Sequence, residues 1–209
     1  TYMQRHGGKL SPHQTFHILS QTLSALKAAE EFHDAHHKGL SHGNLKPQNI
    51  LISEGNEFDT INKSLPFEIF LSDFQPYGII SDEVIFNSYY TLKNHIQKLP
   101  HKHEEHHLYK NLLSIYSSLD YLDPSQKANS APNQKNDLYS LGILTYKMLT
   151  GSIPCGYFPS LHSLLPEINP AWDRLLTKTL NIDPSKRFDD YSSMLSFLEE
   201  EVQEDFIFQ

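Results

Sequence analysis

Ser41-His42-Gly43-Asn44-Leu45-Lys46-Pro47-Gln48-Asn49-Ile50-Leu51 is the stretch whose reading decides the fold of this chain. Polar and turn-forming residues run into the apolar triplet Ile50-Leu51-Ile52, the pattern of a loop feeding a short strand. Upstream, Ser11-Pro12-His13-Gln14 reads as a helix start. Ser11 can cap, Pro12 suits the first helical position, and Gln14 completes a capping box. Phe16, Leu19, Leu23 and Leu26 follow at helical spacing, with Ile18, Ala25, Ala29 and Phe32 widening the stripe. A stripe this wide predicts a well-buried helix, with Gly39 as its stop. Downstream, Phe67-Glu68-Ile69-Phe70-Leu71 reads as a second strand, joined to the first by a long polar connection from Ser53 to Pro66.

Beyond Asp73 the pattern weakens as far as Asn136, with turn formers, scattered aromatics and a His-rich patch. Helical spacing recurs there only at Leu108, Leu112, Ile115 and Leu119. An apolar helix is expected from Asp137 to Gly151, carrying Leu138, Leu141, Ile143, Leu144, Met148 and Leu149. Asn169-Pro170 caps a helix holding Trp172, Leu175, Leu176 and Leu180. Asp183-Pro184-Ser185 makes a turn, and Asp189 or Asp190 starts a last helix through Tyr191, Met194, Leu195, Leu198 and Val202. The fold class is mainly α (α+β): helices, a small hairpin and one long irregular insert.

The size of 209 residues fits one domain. With 38% hydrophobic and 20% charged residues and a mean hydropathy of −0.48, the composition is that of an ordinary soluble protein. A formal charge of −8 argues against a nucleic-acid-binding surface and against an anionic membrane. No apolar run approaches the ~20 residues of a membrane span. Cys155 is the only cysteine, which excludes an internal disulfide framework and points to a reducing, cytoplasmic setting.

Six stretches, in order, resemble the protein-kinase superfamily, and its Ser/Thr kinases most. Residues 42–51 resemble the catalytic loop H-R-D-L-K-P-x-N-I-L. Leu71-Ser72-Asp73-Phe74 resembles the strand leading into D-F-G, and Tyr121-Leu122-Asp123-Pro124-Ser125 resembles Y-x-A-P-E. Asn136-Asp137-Leu138-Tyr139-Ser140-Leu141-Gly142 resembles S-D-V-Y-S-L-G. Leu149-Thr150-Gly151-Ser152-Ile153-Pro154 matches L-T-G-x-x-P, and Asp183 to Phe188 matches D-P-x-x-R-F. The resemblance implies the helical C-terminal lobe of that fold over residues 1–209, with the hairpin at the catalytic loop and an overgrown activation-segment-like insert at about 73–125. No Gly-rich loop and no V-A-I-K-like Lys is present, so the smaller lobe is expected to lie outside this chain.

The resemblance also assigns roles. Asn44 stands at the position of the proton-accepting Asp; its amide can accept a hydrogen bond but is not a useful base near neutral pH. Its plainer reading is a residue that holds the loop turn by side-chain to backbone bonds. Gly43 replaces the Arg that pairs with a phosphorylated activation segment. Lys46 matches the phosphate-contacting Lys, and Asn49 and Asp73 match the Mg²⁺ ligands, so Mg-ATP is expected only with a second lobe supplied. Gln75-Pro76 replaces the Gly of D-F-G. His42 is expected to be a buried, satisfied packing residue, Asp137 to cap the central helix and bond back to the loop, and Arg187 to be structural. Ser125 stands where Arg187's usual Glu would be, which leaves Asp123 or another carboxylate as its partner.

The insert carries His101, His103, His106 and His107 beside Glu104 and Glu105, which reads as a zinc site or as a polar loop with incidental metal affinity. Phe86, Tyr89, Tyr90 and Leu92 are candidate anchors for a protein partner. The functional expectation is a catalytically inactive kinase-like domain acting as a scaffold or regulator, with a degenerate Ser/Thr kinase as the alternative.

Overall fold

The computed structural model describes residues 2–32, 39–54, 67–74, 119–127 and 133–202. The Leu108–Leu119 helix, the His-rich patch, the apolar anchors and Gln75-Pro76 fall outside the described residues, except that Leu119 opens a short 3₁₀ turn, Leu119–Tyr121.

Helix α1 (Tyr2–Arg5) is one turn and precedes α2 (Pro12–Glu31). The expected capping box of α2 is present: the Gln14 amide N–H donates to the Ser11 hydroxyl, and the Ser11 N–H donates to the Gln14 side chain. Phe16, Leu19, Leu23 and Leu26 are buried. Phe32, expected in the stripe, lies past the helix end and is 56% exposed. Gly39 is at φ 59°, and its N–H donates to the Phe32 carbonyl. A Cβ there would sit 2.7 Å from the Glu30 carbonyl oxygen, so the return of the chain needs glycine.

Strands β1 (Ile50–Glu54) and β2 (Phe67–Leu71) form an antiparallel pair with Ile50 opposite Leu71 and Ile52 opposite Ile69. The outer edge of β2 is closed by Gln21 of α2, which donates to the Phe67 carbonyl and accepts from the Ile69 N–H. An exposed strand edge is thereby blunted and the hairpin is fixed to the main helix.

After α3 (Pro124–Lys127) comes the central helix α4 (Gln134–Thr150). Its cap is Asn133, boxed reciprocally with Asn136, and not Asp137, which lies one turn inside. Both are capping residue types; Asn133 wins because the polar first turn folds into a hydrogen-bonded network instead of facing the apolar core. Gly151 ends α4 in the left-handed region, φ 81°. Helices α5 (Leu161–Leu164), α6 (Ala171–Thr179) and α7 (Tyr191–Phe197) complete the bundle, and a π turn, Leu198–Val202, prolongs α7. Leu180 is the C-cap of α6, and Asp190 caps α7 with Ser193.

Helix α2 packs against α4, α7 and β2, and α4 also packs against α6. At the α4–α6 crossing a Cβ on Gly142 would meet Thr179 Oγ1 at 2.5 Å, so the two helices approach more closely than any side chain there allows. Trp172, Tyr191, Leu138, Leu141, Leu175 and Met194 form the centre of a single core. Burial of a large apolar side chain contributes roughly 1.5–3 kcal/mol. This core is the rigid floor beneath residues 42–49. Among the described residues no helix is long and apolar enough to cross a membrane.

Candidate functional site

The loop is held from below. Asp137 Oδ2 accepts from the His42 N–H at 2.7 Å and Oδ1 accepts from the Gly43 N–H at 2.8 Å. The Tyr191 hydroxyl donates to Asp137 Oδ2 at 2.8 Å. Burial pushes the Asp137 carboxyl up to about 6, and the three donors, Tyr191 first, pull against that rise. Tyr191 itself is driven far above its usual range by burial and by Asp137. Gly43 is buried at φ 68°, a conformation open to glycine at little cost.

A second support runs through Gln126, whose side chain donates to the Gly43 carbonyl at 3.2 Å and accepts from the Asp123 N–H at 3.3 Å. Asp123 pairs with Arg187, both buried. The partner of Arg187 is therefore Asp123, two residues before Ser125. Arg187 also donates to the Asn181 and Lys135 carbonyls and lies 4.9 Å from the Tyr139 ring centroid. Asp123 Oδ1 takes the Ser125 N–H and hydroxyl, and Asn136 donates to that hydroxyl.

His42 is buried and stacks on Phe74 with centroids 4.3 Å apart. Its Nδ1 accepts from the Asn44 N–H at 3.3 Å. Its Nε2 makes no hydrogen bond of ordinary geometry among the described residues, so the side chain is buried but only half satisfied. Burial pushes its pKa down to about 4, against partial opposition from nearby backbone groups, Ser72 among them, and from Asp73.

Above the floor, Asn44, Lys46, Asn49 and Asp73 come together. The Asn44 side-chain amide donates to the Asp73 carbonyl at 3.3 Å, and the Asn49 amide donates to the Asn44 carbonyl at 2.8 Å. The Ser72 N–H donates to the Asn49 carbonyl, which ties β2 to the loop. Asp73 is exposed, at φ 59°, and its carboxylate accepts from the Ser72 hydroxyl at 2.9 Å. Asp tolerates the left-handed region better than most residues, because its short polar side chain bonds locally. Lys46 is half-buried; burial lowers its pKa and the charge of Asp73 opposes that.

The group set here is one carboxylate and two amide oxygens that could face a cation, with one ammonium that could face a phosphate. That set fits a hard cation carried in by phosphates, which needs one or two protein oxygens, and is too sparse for a metal site built from protein alone. Among the described residues no group of three or more His, Cys, Asp or Glu could hold a metal. Sequence reasoning missed Tyr191 and Gln126 as polar supports. Tyr191 reads only as part of an apolar stripe, and nothing in the sequence marks Gln126.

No protein-family model matches the chain. Curated relatives are Ser/Thr protein kinases: a probable kinase PknB of Lactococcus lactis, 23% identical over 90% of this chain, and PknL of Mycobacterium tuberculosis, 23% identical over 94%. The crystal structure of the Mycobacterium tuberculosis PknI kinase domain superposes over 92% of this chain with a TM-score of 0.55 at 19% identity. The chain has a protein-kinase-like fold. It spans 26% and 43% of the length of those two relatives and 57% of the PknI kinase domain, and it fits the C-terminal lobe. In this kinase-like lobe four of the motifs place residues around the loop that is itself the fifth: Asp137 beneath it, Asp123 and Arg187 beside it, Asp73 above it; the remaining one, Leu149–Pro154, closes the far end of α4.

Proposed function

We propose that this chain is a catalytically inactive kinase-like domain that serves as a protein-binding scaffold or regulator. The observation that supports it most is the use made of Asn44. Its amide N–H₂ donates to the Asp73 carbonyl, a bond an ionised carboxylate at 44 could not make. The position of the general base is occupied by a group that is not basic and is engaged in holding the loop. Gly43 adds to this, since it supplies no cation for a phosphorylated segment. His42, Asp137 and Arg187 act as structural supports in this reading.

Partner binding is assigned to the long 73–125 segment, whose apolar residues Phe86, Tyr89, Tyr90 and Leu92 would serve as anchors. Deleting residues 87–107 should abolish partner capture while leaving the melting temperature nearly unchanged; unaltered capture would end that assignment.

A second reading, a degenerate Ser/Thr kinase or ATP-binding protein, is favoured by one observation: Lys46, Asn49 and Asp73 still sit together. In it Asn49 and Asp73 would hold Mg²⁺ and Lys46 a phosphate, and Mg-ATP would supply the transferable phosphoryl group. Calorimetry of the full native protein with Mg-ATP separates the two. No heat of binding at millimolar nucleotide removes the second reading; binding without transfer leaves the first as a nucleotide-regulated scaffold.

A further inference from the structure

His13 and His17 lie one helical turn apart on the outer face of α2, far in sequence from the loop. Their Nε2 atoms are 3.0 Å apart, and the rings meet edge to face with centroids 4.3 Å apart. One Nε2–H donates to the other Nε2, so the two imidazoles share a single proton between them. We propose that this pair is a chelating site for a divalent transition-metal ion: the donor imidazole shifts its proton to Nδ1, and both Nε2 lone pairs turn to the metal.

The distances carry the proposal. Metal–imidazole bonds of about 2.0–2.1 Å span a 3.0 Å nitrogen separation at an N–M–N angle of roughly 91–97°. That is the cis angle of a tetragonal or square-planar ion, the geometry of Cu²⁺ and Ni²⁺. Tetrahedral Zn²⁺ needs the nitrogens slightly further apart, a change that small ring rotations provide. The remaining coordination positions go to water.

The sequence prepares the pair. The Ser11–Gln14 capping box and Pro12 fix the first turn of α2, so His13 is presented on ordered backbone. Spacing of four places both side chains on one face. His17 is half-buried, which holds its ring on a defined face of the helix. Phe16 packs edge-on against the His17 ring at 5.3 Å and limits its rotation. The positive end of the helix dipole disfavours imidazolium at His13, in the first turn, and also opposes a bound cation there, which keeps the affinity modest.

Titrating the full native protein with Ni²⁺, and separately with Cu²⁺ and Zn²⁺, by calorimetry tests the site against H13Q and H17Q. Loss of an outer-shell partner costs a metal site about 10–100-fold, and loss of a ligand at least as much. Each variant is expected to lose one bound equivalent, or to bind it at least about tenfold more weakly, while its circular dichroism and its response to Mg²⁺ are unchanged. Isotherms identical to the parent in both variants would overturn the proposal. Comparing variants with the parent removes the contribution of histidines elsewhere in the chain.

Discussion

The two sides of the His42–Asn49 loop are built differently. Below it, Asp137 accepts three short hydrogen bonds in a fully buried setting, and Asp123 and Arg187 pair out of contact with water. Above it, Asp73 is exposed and its carbonyl takes one 3.3 Å bond from Asn44. The lower side is committed to stability, because any loss there strands buried polar groups. Asp73 can be altered without stranding a buried group, while the buried Asn49 and the Asn44 backbone still hold the loop together from within. A kinase-like chain can therefore change its operating groups while its supports stay fixed, and substitutions can be ranked by which side they touch.

The largest effects are expected below. Arg187→Met leaves Asp123 buried without its cation, and Asp137→Ala strands the His42 and Gly43 N–H groups and the Tyr191 hydroxyl. Each should cost about 3–5 kcal/mol in urea unfolding. A cost under about 1 kcal/mol for either would break the contrast.

Acid titration of stability gives the next largest signal. His42, depressed from 6.5 to about 4, stays neutral when folded, so its contribution is present above pH 6.5 and is lost as pH falls through 4. Asp137, raised from 3.8 to about 6, favours its proton when folded, so its contribution is present below pH 3.8 and is lost as pH rises through 6. Each is worth on the order of 3 kcal/mol, with opposite sign over nearly the same range. The pair should cancel, giving a nearly flat contribution between pH 4 and 6.5. Asp137→Asn should expose a fall in stability on acidification, and His42→Phe a fall as pH rises from 4 to 6. Parallel pH profiles for the two variants would refute the assignment.

Gly142→Val should cost about 1–3 kcal/mol, because Thr179 and Leu180 stand within 3 Å of where its Cβ would be. This tests the floor itself, with no polar group involved. Smaller effects belong above the loop. Asn44→Asp exchanges a donor for a carboxylate facing the Asp73 carbonyl and should cost about 1 kcal/mol. Asp73→Asn keeps a residue that tolerates φ 59° and an oxygen for Ser72, and should stay within about 0.5 kcal/mol.

Local chemistry explains what was legible in the sequence. The Ser11 capping box, the limits of β2 and the Gly151 stop follow from residues within one turn of each other. The bond from Asp137 to the loop followed from the kinase resemblance alone. What escaped was tertiary. Asn133, not Asp137, starts α4, because a polar first turn carries no apolar period to mark it. For Arg187 the sequence left Asp123 or another carboxylate open; the choice of Asp123, 64 residues away, is made by the tertiary fold. The unpaired Nε2 of His42 depends on which backbone surrounds the ring, and periodicity says nothing of that.

The central claim is that Asn44 closes the base position. Transfer of radiolabelled γ-phosphate from Mg-ATP, by the full native protein and by its Asp73→Asn variant, tests it most directly. The account predicts no incorporation above background for either protein. Incorporation by the parent that disappears with Asp73→Asn would contradict it and show that the residues above the loop still work.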